Sequence, residues 1–352
     1  MLAPEIFCKN FEKGHLAAFD KLDTITARRE EIEAKSGAWP DWCALPTGAG
    51  YAAISAQHGL RSLPFSLAED ARRIPAAYLW RKSKQIFAFD ETVEKELIEQ
   101  DFPGEIPDDV LLRLPVPCVY IQLHAQSKIF PVDMVADGFF AWLGYNAYTR
   151  RKELCLIVLD INGECIDEYV CPMVGTISES IKDFRRSMLA AYLRREDQDP
   201  VMLAQMVKNV DNDGEEALTL SKVLNLLLYL CTDEADYDNQ PRRVKAKPTY
   251  TTYTPERPPR RTNITNVGTR IGAAIRLDRQ KAKELNEEAE QQQQSERRKH
   301  ASPIAHIRRG HYHSFWTGAR ESVDRKIVVK WLPPMLINGG KGEIVPTIRP
   351  VK

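Results

Sequence analysis

The sequence predicts an α+β protein: a mixed body of helices and antiparallel sheet, followed by a basic C-terminal region that ends in a β-hairpin. Three observations carry this. Between residues 117 and 172, four short runs (CVYIQL, GFFAWLGY, ELCLIVLDI and ECIDEYVC) are dense in β-branched, aromatic and apolar residues, as strands are. On either side, apolar residues recur at helical spacing. Charge, finally, is divided along the chain. Residues 242–352 hold 24 Lys/Arg against 10 Asp/Glu, a net of +14, leaving 25 against 39 and a net of −14 on residues 1–241.

Taken in order, Phe7, Phe11, Ala18, Leu22 and Ile25 keep a helical period, so residues 4–35 read as one amphipathic helix. A stretch containing Gly and Pro (36–66) separates it from SLAEDARRIPAAYLWRKSK. There Ser66 as N-cap with Glu69 three residues on makes a capping-box pattern, and Pro75 is expected to kink or restart the helix. QIFAFD reads as a short strand and ETVEKELIEQ as a short helix. Asn162-Gly163, between the last two strand runs, is the dipeptide of a type I′ turn, whose central residues both need φ > 0. LCLIVL (154–159) is apolar on both faces, so its strand should be central and covered on both sides. Helices are expected at 178–196, at 200–209 and over EEALTLSKVLNLLLYLC, which is apolar nearly all round and therefore buried.

At residue 239 the character changes. Residues 239–262 carry five prolines and few aliphatics, which describes a Pro/Arg-rich linker or extended arm. The division this implies is an acidic α+β body (1–238), the arm, and a basic region (263–352). Within that region, NVGTRIGAAIR has two glycines four apart and reads as a strand packed closely on a neighbour. Residues 278–300 have helix-forming side chains without an apolar stripe, hence a polar helix. Residues 303–338 read as the β-hairpin. A basic region of this size is suited to polyphosphate; equally, it could attract the acidic body.

Composition excludes several classes. A hydrophobic fraction of 43% with 28% charged residues describes a soluble globular chain. The longest apolar runs, VLNLLLYLC (223–231) and LCLIVL, fall well short of the roughly 20 residues of a membrane helix, and MLAPEIFCKNFEK has no apolar signal-peptide segment. No membrane partner is expected, and a cytoplasmic location is. The seven cysteines are odd in number, scattered and without a C-x-x-C pair, which reads as a reduced thiol set. G-x-x-x-x-G-K-[ST], G-x-S-x-G and H-E-x-x-H are all missing from the sequence, and no cofactor is expected.

The segment HIRRGHYHSFWTG (306–318) gathers three of the seven histidines. Three chemistries compete for it. A metal site needs four ligands, or three plus water, and two adjacent arginines repel a cation; no metal is therefore expected. A nucleic-acid surface needs cations for phosphates and flat rings for bases. Arg308, Arg309, Lys326 and Lys330 supply the first and Tyr312 and Trp316 the second, with Phe315 and Trp331 as further aromatics. The plainer reading makes several of these rings the hairpin's own apolar core. The third chemistry is metal-free RNA cleavage, in which one imidazole takes a proton, a second returns one, and a cation stabilises the phosphorane. On a regular strand His311 and His313 share a face with Arg309, which are the types that chemistry requires. Binding and cleavage are not separable by composition.

HIRRGHYHSFWTG followed by VKWLPPMLINGG resembles the C-terminal signature of the second family of type V-A anti-CRISPR proteins, which phages and plasmids encode. Weaker similarity runs upstream through AAYLWRKSKQIFAFDE, LPVPCVYIQL and LLLYLCTDEAD. The matching positions are His306, Arg308, Arg309, Gly310, His311, His313, Trp316, Gly318 and Trp331. The resemblance implies a protein that reduces production of the RNA-guided effector nuclease in the bacterial cytoplasm. Its partners would be the nascent N-terminal polypeptide of the effector, the mRNA or ribosome, and, where the protein does not itself cut, a host nuclease. The chain departs from the family in its Pro/Arg-rich arm, its Gln-rich segment and its first seventy residues.

Overall fold

The computed structural model describes residues 1–36, 39–100, 106–131, 134–193, 200–210, 215–238, 259–295, 305–318 and 326–338. The arm expected at 239–262 lies outside these residues but for its last four. At the centre is a six-stranded sheet in the order β5-β4-β3-β2-β1-β6. Its strands are β1 (Gln85–Phe89), β2 (Cys118–Gln122), β3 (Gly138–Asn146), β4 (Arg151–Leu159), β5 (Cys165–Met173) and β6 (Asn263–Val267). β2 to β5 form an antiparallel meander, while β1 runs parallel to both β2 and β6. The sheet is thus mixed rather than purely antiparallel. β6 comes from the basic region, which therefore shares a sheet with the acidic body.

Alternation along the strands feeds two cores. On β4, Leu154, Leu156 and Val158 point into one, and Cys155, Ile157 and Leu159 into the other. This is the strand that the sequence marks as apolar on both faces, and it lies between β3 and β5. The second core is roofed by helices α1 (Ala3–Gly14), α2 (Leu16–Ala27), α3 (Arg29–Ser36), α4 (Gly48–His58) and α5 (Phe65–Ser83). Trp39, Tyr78 and Trp80 are fully buried there. Against the first core lie α6 (Glu91–Ile98), the short 3₁₀ helix η1 (Asp108–Arg113), α7 (Ile177–Tyr192) and α9 (Glu215–Cys231). α8 (Pro200–Val210) packs on α7, and α10 (Thr269–Ser295) on α6. In α9, Leu220, Val223, Leu224, Leu226, Leu227 and Leu228 are all buried, each stabilising the fold by about 1.5–3 kcal/mol.

Four local expectations change. The helix expected over 4–35 is three, broken at His15 and Arg28, where the backbone leaves the helical region. Phe7, Ala18 and Leu22 remain on one buried side, so the apolar period survives the breaks. α5 starts at Phe65 with Pro64 as N-cap, so Ser66 does not cap it, and Pro75 sits inside a continuous helix. The Asn162-Gly163 turn is not type I′. Only Gly163 takes positive φ (75°), Gly163 N–H donates to the Asp160 carbonyl at 3.0 Å, and the register slips between Val158 and Leu159. This is a three-residue loop with a glycine bulge. The Asp160 carboxylate stabilises it by accepting from the Asn162 and Glu164 N–H groups at 2.9 and 2.8 Å. Finally, NVGTRIGAAIR is strand, turn and helix in turn, because α10 begins at Thr269.

Candidate nucleic-acid interface

The segment 306–337 forms one long antiparallel ribbon in two parts. β7 (His306–Arg308) pairs with β10 (Met335–Ile337), and β8 (His311–Thr317) with β9 (Lys326–Leu332). Arg308 lies opposite Met335 and His311 opposite Leu332, so the register is unbroken across the gap and no residue is inserted. The gap itself faces Pro333-Pro334, which have no N–H to donate. Gly310 makes the crossing: a Cβ there would meet Pro334 Cδ at 3.0 Å and Leu332 O at 3.1 Å. Gly318 ends β8 at φ 96°, a conformation that favours glycine. The hairpin expected over 303–338 is therefore present, and both signature glycines have a backbone reason.

Strand alternation decides which aromatics are available. Tyr312 and Trp331 lie opposite one another, as do Ser314 and Val329, on the side that faces the body. Tyr312 is 5% exposed, its O–H donates to the Asn225 carbonyl at 2.5 Å, and burial raises its pKa. It belongs to the core and not to a base-stacking surface. Trp331 is likewise buried, edge-on to Tyr229 at 5.4 Å, and its Nε1–H donates to Gln100 Oε1 at 2.9 Å. Arg113 adds a guanidinium bond to the Ile327 carbonyl at 3.1 Å. Trp316 shares the inward parity but is 55% exposed toward the ribbon's tip.

The other face carries His311, His313 and Phe315, with Lys330 opposite His313 and Leu332 opposite His311. His311 and His313 are thus on one face, as the sequence requires, about 6.6 Å apart along the strand. His313 stacks at a tilt on Phe315 (5.9 Å), and the Lys330 ammonium lies 5.7 Å from the same ring while pairing with Glu234. Arg309 is exposed in the gap between β7 and β8, outside the strand that holds the histidines. Arg308 and His306 are exposed on β7, whose inward residue is Ile307. The inward parity therefore switches across Arg309-Gly310, because α10 packs on β7 and β10 while α9 receives Tyr312. For Lys326 only the strand position is described, as the first residue of β9. Among the described residues no group of three or more His, Cys, Asp or Glu is gathered for a metal.

Sequence reasoning did not find Gln100, Arg113, Asn225 or Glu234. They hold the ribbon from positions up to 231 residues away in sequence, where no local pattern marks them.

An α+β body that docks a ribbon with an exposed histidine, arginine and aromatic face is an architecture found among anti-CRISPR proteins. The family model described as AcrVA2-like, Anti-CRISPR type V subtype A2 family, matches residues 87–339, from within β1 past the end of β10, and the chain belongs to that family. A solved structure described as the crystal structure of AcrVA2 is similar with a TM-score of 0.63 and 19% identity, covering 96% of this chain and 100% of that one. At that identity the likeness is one of fold. Its coverage takes in most of α1 to α5, which lie outside the range of the family model. No curated protein matches the chain.

Proposed function

We propose that this protein inhibits type V-A CRISPR immunity by lowering production of the effector nuclease. In this reading it recognises the effector's nascent N-terminal polypeptide during translation and causes loss of the message, in the cytoplasm of the bacterial host. Family membership supports the inhibition, and one structural observation supports the RNA contact. The ribbon buries Tyr312 and Trp331 against the body while leaving Arg308, Arg309, His313 and Trp316 exposed. Cations beside exposed rings are what a single strand of RNA needs: charge for the backbone and flat faces for the bases. No helix among the described residues is long and apolar enough to cross a membrane.

A second reading makes the ribbon a metal-independent ribonuclease centre. It is favoured by His311 and His313 sharing a face, with the Lys330 ammonium opposite. Arg309 would reach that face from the kink, and a host nuclease would then be unnecessary.

The deciding experiment translates a type V-A effector message in a reconstituted system without ribonucleases, beside a message with scrambled N-terminal codons. Loss confined to the effector message supports recognition and cutting in one protein; His311→Ala with His313→Ala must then abolish it. An intact message here, with loss in whole-cell extract, supports recognition with a borrowed nuclease. An intact message in both removes the proposal. For the RNA contact, Arg308→Ala with Arg309→Ala should flatten the salt dependence of binding by about 0.7 per lost phosphate contact.

A further inference from the structure

Away from the ribbon, two more histidines meet at the far end of the N-terminal helical layer. His15 joins α1 to α2, and His58 is the last residue of α4. His15 Nε2 lies 3.3 Å from Asp70 Oδ2 on α5, and its Nδ1 lies 3.3 Å from Gln57 Nε2. The same amide nitrogen is 3.3 Å from His58 Nε2 and 3.3 Å from the Gly14 carbonyl. An amide NH2 only donates. Both imidazole nitrogens that face it must therefore present lone pairs, and His15 must carry its proton on Nε2, toward Asp70.

The amide nitrogen is over-subscribed. Two N–H groups face three acceptors, and every contact, at 3.3 Å, is longer than the ~2.9–3.0 Å of an ordinary bond. Three lone pairs aimed at one point, with a carboxylate behind one imidazole, describe the surroundings of a cation. We propose that His15 Nδ1, His58 Nε2 and the Gly14 carbonyl form a binding site for a first-row divalent metal of the zinc class, with the Gln57 amide as a displaceable plug. The rings stand 6.5 Å apart at 70°, which leaves room for one ion between them. Imidazole–zinc bonds are about 2.0–2.1 Å, shorter than the present contacts, so the ion sits nearer both rings than the amide nitrogen does. Asp70 fixes the His15 tautomer and strengthens it as a ligand. Gln57 Oε1 now accepts the Ala18 N–H at 3.0 Å; released, it supplies a fourth oxygen. His58 is exposed, so water completes the coordination and the ion enters from solvent.

The test titrates Zn²⁺ calorimetrically into the full chain after chelator treatment. Its background is His306→Ala, His311→Ala and His313→Ala, so that the ribbon contributes no imidazole. One equivalent should bind. His58→Ala, an exposed change whose fold is checked by circular dichroism, should weaken binding at least 10-fold. Asp70→Asn should weaken it by about 10–100-fold, as loss of an outer-shell carboxylate does. Gln57→Ala should tighten binding, which a merely structural tie does not predict. Absence of binding in the ribbon-substituted background, or binding indifferent to His58→Ala, overturns the site.

Discussion

Replacing Trp331 by alanine should release the ribbon from α9 while leaving the six-stranded sheet in place. Trp331 is 4% exposed, its ring lies edge-on to Tyr229, and its indole N–H is bound by Gln100. A buried tryptophan cut to alanine costs about 3–5 kcal/mol in lost transfer and cavity. Leaving Gln100 Oε1 without its donor adds about 1–3 kcal/mol. Against this, the ribbon's other attachments are Val329, the Tyr312–Asn225 bond, the Arg113–Ile327 bond and the exposed Lys330–Glu234 pair. The two hydrogen bonds contribute about 0.5–1.5 kcal/mol each, and an exposed ion pair less than 1. A docked ribbon with the cavity is therefore less favourable than an undocked one. Amide exchange should show the change: protection across 311–317 and 326–332 falls by about three orders of magnitude, at 1.4 kcal/mol per factor of ten, while β3 and β4 keep theirs. Equal losses in β3 and β4 would refute the reasoning, since the ribbon would then be part of the cooperative core.

Lys152→Ala should destabilise the fold by about 3–5 kcal/mol, because it leaves the nearly buried Asp108 carboxylate with only the Gly175 N–H at 2.9 Å; a urea midpoint equal to that of the parent would contradict this. Glu94→Gln should stabilise the protein at pH 7. Burial raises the Glu94 pKa above its ordinary 4.5, so the charged form disfavours the folded state. Its stabilising contribution is full below 4.5 and lost as pH rises through the folded value, so the advantage of the variant should shrink toward pH 4. An advantage independent of pH would point to some cause other than ionisation. Thiol labelling of the native protein should be slow. Burial pushes Cys43 up to about 12 and Cys165 up to about 11, and Cys118, Cys155, Cys171 and Cys231 are buried too. All seven thiols should label in denaturant, and rapid native labelling at Cys118 would show that the sheet opens.

What the sequence made legible was whatever its local pattern determines. β4 was marked as central by six consecutive apolar residues, and α9 as buried by leucines on every side. The pairing of His311 with His313 on one face follows from strand period alone. What failed depended on distant neighbours. The chain breaks at His15 so that α1 and α2 both reach the sheet, a demand that the unbroken apolar period does not express. Gly272 looked like a strand glycine because two glycines four apart fit either element. In the structure it is helical, and it is glycine because a Cβ would collide with the Asp90 carboxylate. Tyr312 was read as a surface ring because parity tells which residues share a face but not which face is inward. Asn225 and Gln100, the residues that turn it inward, lie on other elements.

The opposed charges of the two halves have two uses, and the structure separates them. Across the junction, Arg270 pairs with Asp236, Arg276 with Asp90 at 2.9 Å, Arg279 with Glu96 and Lys330 with Glu234. Four cations of the basic region thus meet carboxylates of the acidic body, and Asp236 also accepts the Arg270 N–H at the start of α10. Part of the asymmetry is therefore attraction between the halves, set on one side of α10 and at the ribbon's edge. Arg308 and Arg309 differ: both are exposed, and neither forms an ion pair with another described residue. Burying a cation's partner inside the protein removes that cation from any RNA backbone; leaving it exposed beside rings does not. The capacity for polyphosphate that the net charge of the basic region implies is accordingly concentrated, among the described residues, at the kink of the ribbon. Substitutions on α10 should change how firmly the halves hold together, and substitutions at the kink should change what the protein binds.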